Sequence, residues 1–144
     1  MGRNDYLINE LDRKFANYPN YNKEIAIRKE ELKMREADEN IGGGKSNIRS
    51  NPVEIQVIKE LSDPYIVNRQ LWKKCIKETL EEQDCDIRKL MELKYWGADS
   101  WMDWASFGIK HGYAKRTIYR VRQKVLMDFG CLLYTSDAAD EFMG

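Results

Sequence analysis

The sequence is poor in the residues that build most catalytic and metal sites: it holds one histidine and three cysteines. Cys75, Cys85 and Cys131 are odd in number and show no CxxC spacing. That argues against a disulfide framework or a zinc site and for reduced thiols inside a cell. His111 has no oriented nucleophile or carboxylate partner signalled near it, so it is read as a packing residue and not a general base. Paired carboxylates and metal-ligand spacing are also missing, and neither an enzyme nor a cofactor is expected. The acidic run Glu78, Glu81, Glu82, Asp84, Asp86 reads as a solvated helix end and cap. No apolar run approaches the roughly 20 residues that cross a bilayer, and the N-terminus carries no signal-peptide pattern. A soluble, cytoplasmic chain with no membrane partner is expected. Lys plus Arg balance Asp plus Glu at 24 each, so only the distribution of charge carries information.

That distribution is uneven. Between Lys110 and Lys124 stand six basic residues (110, 115, 116, 120, 122, 124) and no Asp or Glu. At about 100° per residue, Ile118, Val121, Val125 and Phe129 form one apolar stripe, with Ala114 at its leading end. Arg116, Tyr119, Arg120, Gln123 and Met127 lie opposite, Lys115 and Arg122 flank one side, and Thr117 and Lys124 the other. Docked by its stripe, this helix presents cations and an amide outward. Arg can bond guanine O6/N7 bidentately, Gln can do the same to adenine, and Lys110, Lys115, Arg122 and Lys124 suit phosphates. The preceding segment, Ser100–His111, reads as the first helix of a helix-turn-helix. Ser100 with Asp103 resembles a capping box, and Asp103 with Ser106 offers a competing start. Trp104, Phe107, Gly108 and His111 make its inward face, and Gly112 marks the turn. Trp96, Trp101 and Trp104 are read as core-packing residues in preference to stacking platforms for single-stranded bases.

The remaining chain reads as helices throughout. Tyr6, Leu7, Leu11, Phe15 and Tyr18 stripe a first helix over residues 4–18. A mostly polar helix follows from about Tyr21 to Ala37, with Ile25, Ile27, Leu32 and Met34 apolar and Glu24–Arg28 and Glu31–Arg35 at ion-pair spacing. This N-terminal arm, residues 1–37, is expected to dock loosely or self-associate. Residues 38–51 (DENIGGGKSNIRSN) form a flexible Gly-rich linker. Its GGGKS is no Walker loop, because Glu39 stands where the first glycine belongs and no strand precedes it. Asn51-Pro52 and Glu54 start a helix to about Leu61, with Val53, Val57, Ile58 and Leu61 inward. Pro64–Glu82 follows, striped by Tyr65, Trp72, Cys75, Ile76 and Leu80, and then a helix capped by Asp84 and carrying Ile87, Leu90, Met91 and Tyr95. The expected fold is an all-α bundle ending in a helix-turn-helix.

The GGGKSN linker before NPVE, the run LMELKYW (residues 90–96) and AKRTIYRVRQKVL (114–126) give the chain a family likeness. Over residues 40–130 it resembles phage transcription regulators of the RinA/ArpU type, whose C-terminal part is similar to region 4 of bacterial sigma factors. The resemblance implies a region 4-like domain over residues 52–130 that binds double-stranded promoter DNA and activates late phage genes in the host cytoplasm. It also implies DNA contact from Lys115, Arg116, Thr117, Tyr119, Arg120 and Gln123. Ala114 stands where the family usually has Ser and supplies no capping oxygen, a cost of roughly 1 kcal/mol. RNA polymerase and a second copy of the chain are further candidate partners. The alternatives are a small terminase subunit for DNA packaging, or a module that docks on RNA polymerase through the Tyr65–Glu82 helix. Residues 131–144 (CLLYTSDAADEFMG) resemble translated sequencing adapter and are set aside as a non-native tail.

Overall fold

The structure, a computed structural model, describes residues 3–41 and 52–143, with side chains placed for residues 5–35 and 52–136. It is all-α. Helices α1 (Arg3–Ala16), α2 (Tyr21–Ile41), α3 (Pro52–Ser62), α4 (Pro64–Glu82), α5 (Cys85–Trp96), α6 (Trp104–Lys110) and α7 (Lys115–Met143) follow in order. A 3-10 turn, Tyr18–Asn20, joins the first two, and no strand occurs among the described residues. The Gly-rich segment 42–51, including the rejected phosphate-loop string, lies outside the described residues. The residues set aside as a tail continue α7, and Leu133 among them is buried.

The chain divides into two compact units: residues 1–19 with 71–144, and residues 20–70. This redraws the expected separation of an arm from a domain, because α1 packs on α5 and α7. The reason is aromatic. Leu11 and Phe15 are fully buried, and the Phe15 ring lies 4.8 Å from Tyr95, 5.3 Å from Trp96 and 5.9 Å from Phe129 between centroids. The Trp96 indole N–H donates to the carbonyls of Phe15 and Ala16, each at 3.1 Å. It thereby satisfies acceptors that the end of α1 leaves without helical partners. Cys75, Ile76 and Leu80 of α4, Leu90 and Met91 of α5, Phe107 of α6 and Ile118, Val125, Leu126 and Phe129 of α7 are buried with them.

In the other unit a polar clamp does the joining. Arg28 grips Asp63 with two hydrogen bonds of 2.9 and 3.0 Å, which raises the guanidinium's pKa and lowers the carboxyl's. Arg28 also reaches Glu31, and Glu24 pairs with Arg69, whose guanidinium lies 3.4 Å from the Tyr65 ring centroid. These replace the expected Glu24–Arg28 and Glu31–Arg35 pairs. A two-pronged bond to a part-buried carboxylate outweighs an exposed helical pair. The expectation for α3 is overturned: Val53, Val57, Ile58 and Leu61 are not inward but between 46% and 68% exposed. Two helices and the start of a third are too little to cover both faces of α3. Its Gln56 and Glu60 are instead bonded to each other at 3.1 Å and half-buried. Ile27 and Met34 of α2 are exposed as well, while Ile25 is buried.

Candidate nucleic-acid interface

The α6–turn–α7 pair is set by three local devices. Asp103 caps α6 by accepting from the Ser106 N–H at 3.1 Å, and the Ser106 hydroxyl and then this N–H hold its carboxyl below the usual range. The competing start therefore prevails, and the helix begins at Trp104, not Ser100. Gly108 is the crossing point, since a Cβ built there would lie 2.7 Å from Ile118 Cγ2. Gly112 takes a left-handed φ of +85°, which glycine adopts without steric cost. The turn closes through Tyr113 N–H donating to the Gly108 carbonyl at 2.7 Å.

On α7 the inward stripe is as expected for Ile118, Val125 and Phe129, all buried, with Val121 part-buried. Leu126 joins them. Arg116, Tyr119, Arg120, Gln123 and Met127 are exposed, as are Lys115 and Thr117. Among the described residues, no hydrogen bond or ion pair engages the side chains of Lys115, Arg116, Thr117, Tyr119, Arg120 or Gln123.

The other three candidates are differently placed. Lys110 stays half-exposed but bonds Asp99 at 2.6 Å. Lys124 reaches Asp128 at 3.5 Å and the Gln83 side-chain oxygen at 3.4 Å. Arg122 is not presented outward: its side chain is 17% exposed and bonded to Asp12 at 3.4 Å, with its guanidinium 5.7 Å from the Trp104 ring centroid. Asp12 lies on α1, the helix expected to dock only loosely. The same Asp12 oxygen accepts the Tyr95 hydroxyl at 2.6 Å, and Lys94 covers Trp104 at 5.0 Å. Burial, then the Asp12 charge, pushes the Tyr95 phenol well up, and burial pulls the Lys94 ammonium down. The tryptophans divide: Trp96 and Trp104 pack as expected, but Trp101 is 81% exposed. Asp84 sits at the start of α5 without making a capping bond.

Sequence reasoning missed Asp12, Asp99, Gln83 and Asp128. Only Asp128, four residues beyond Lys124, carried a spacing signal. Asp99 is also the carboxylate partner that His111 lacked, with Nε2 at 3.0 Å, while the His111 ring packs at 4.6 Å from Phe107. Bonds from Lys110 and then His111 hold the Asp99 carboxyl below the usual range. A lowered folded-state pKa means that its stabilising contribution is complete above the unfolded value, about 3.9, and is lost as pH falls through the folded one. The thermal midpoint is expected to drop as pH falls below about 4, and that of Asp99→Asn to drop less over the same range. A variant as acid-sensitive as the parent would contradict the assignment.

Among the described residues no cluster of metal-ligating side chains occurs, and no helix is long and apolar enough to cross a membrane. A family model described as a protein of unknown function, DUF722, matches residues 7–129, from α1 to Phe129 of α7. No curated protein and no solved structure matches the chain.

Proposed function

The chain belongs to the DUF722 family, and we propose that it is a sequence-specific double-stranded DNA-binding regulator, acting in the bacterial host cytoplasm to activate phage late genes. The N-terminal half of α7 would lie in the major groove of promoter DNA, with RNA polymerase as a further partner. One observation carries this reading: from Lys115 to Met127 the outward face of α7 holds no acidic residue, and the side chains of Arg116, Arg120 and Gln123 on it are exposed and unbonded. Long polar side chains without internal partners are available to base edges, and the helix beneath them is fixed by Gly108 and the buried stripe.

The test is an electrophoretic shift on duplex DNA from upstream of the neighbouring genes. Arg116→Ala and Arg120→Ala are each expected to weaken binding by about 1–3 kcal/mol, the worth of one bidentate base contact. Both positions are exposed, so circular dichroism should match the parent. Undiminished shifts from two folded variants would sink the reading.

A second reading has its own support. The outward apolar stripe of α3 suits self-assembly, as a small terminase subunit for DNA packaging requires. Sedimentation separates the two: a large stable ring selects packaging, a monomer or dimer selects regulation.

A further inference from the structure

We infer, resting on the DNA-binding reading above, that the target duplex is selected by its bases more than gripped by its phosphates, and that it carries two guanines about two base pairs apart with an adenine just beyond. The argument starts from which cations are spare. Of the six between Lys110 and Lys124, Lys110, Arg122 and Lys124 each stand beside a carboxylate, at 2.6, 3.4 and 3.5 Å. Asp99, Asp12 and Asp128 cancel much of the field those cations would offer a phosphate and repel the backbone themselves. Lys115, Arg116 and Arg120 are unopposed among the described residues.

Arg116 and Arg120 are also the two that share the outward face with Gln123. They stand one helical turn apart, about 6 Å at 1.5 Å per residue. Base pairs recur every 3.4 Å, or about two steps over that rise. Gln123 follows after about 4.5 Å more, one to two steps further. Arginine forks onto guanine O6 and N7, and glutamine onto adenine N6 and N7. The spacing of the free side chains thus sets the spacing of the bases. With at most three spare cations between Lys110 and Lys124, this segment should make log K fall by no more than about 3 per decade of salt, where six phosphate contacts would give about 5. Non-specific affinity should be correspondingly low.

The experiment selects binders of the full chain from duplexes with a randomised core, then measures affinity by fluorescence anisotropy across a salt series. We expect the spaced guanine pair with its adenine. Replacing either guanine should weaken binding roughly five- to hundredfold, and Arg116→Ala or Arg120→Ala should each erase the preference at one guanine. Lys124→Gln, a change at an exposed position, should leave the salt slope unchanged, and a slope shallower by about 0.9 would place Lys124 on a phosphate after all. Tight binding with no base preference and a slope near 5 overturns this inference while leaving DNA binding intact. A folded chain that retains no duplex at low salt overturns both.

Discussion

Phe15→Ala should destabilise the unit built from residues 1–19 and 71–144 by about 3–5 kcal/mol, the usual cost of removing a buried aromatic ring. The ring is fully buried and touches Tyr95, Trp96 and Phe129, so its loss opens a cavity among side chains from α5 and α7. Those neighbours are themselves large and held: Trp96 by its bonds to the end of α1, Tyr95 by its bond to Asp12. The site therefore has little freedom to collapse, which puts the cost toward the upper part of that range. Against a total stability of about 5–15 kcal/mol, such a loss should move the urea midpoint sharply. The measurement discriminates well, because a loosely docked α1 would show a change under about 1 kcal/mol, as for ordinary surface substitutions.

The second large effect is expected at Gly108→Val. In an isolated helix any residue but proline here would gain propensity over glycine, by up to about 1 kcal/mol for alanine. At this crossing the sign is reversed by contact. A Cβ alone would sit 2.7 Å from Ile118 Cγ2, 2.9 Å from Ile118 Cβ and 3.3 Å from the Tyr113 carbonyl. Ile118 is fully buried and the third atom is backbone, so neither can swing aside. Overpacking of this kind costs about 1–3 kcal/mol and occasionally more, and valine's two extra methyls place the expectation near 3. The alternative to unfolding is a shift of α7 away from α6. That would displace Arg116 and Arg120 and abolish the proposed duplex binding in a chain that still melts cooperatively. A variant with both the parent's midpoint and its DNA affinity would show that α6 and α7 do not meet as described.

Much of the helical order was legible because its signals are local. Pro64 starts α4, Asp103 caps α6 and Gly112 makes the turn, each through chemistry within a few residues. The outward face of α7 followed from the 3.6-residue period alone. What escaped was long-range. Asp12 and Arg122 are 110 positions apart, and no spacing rule links them. The period of α1 gave its stripe but not the aromatic cluster that buries it. For α3 the pattern was read correctly and the direction wrongly, since a stripe of Val, Ile and Leu identifies a face without naming what covers it.

Helix α7 runs unbroken from Lys115 past Leu133, so the exposed arginines and the Phe129 end of the aromatic cluster belong to one stiff rod with no joint between them. A rod anchored at one end limits the wandering of the other, and a side chain already confined loses less entropy when it meets a ligand. Tightening of the remote anchor by an improved fit around Phe15 should therefore reach the basic face as pre-organisation, and heat resistance and affinity should rise or fall together.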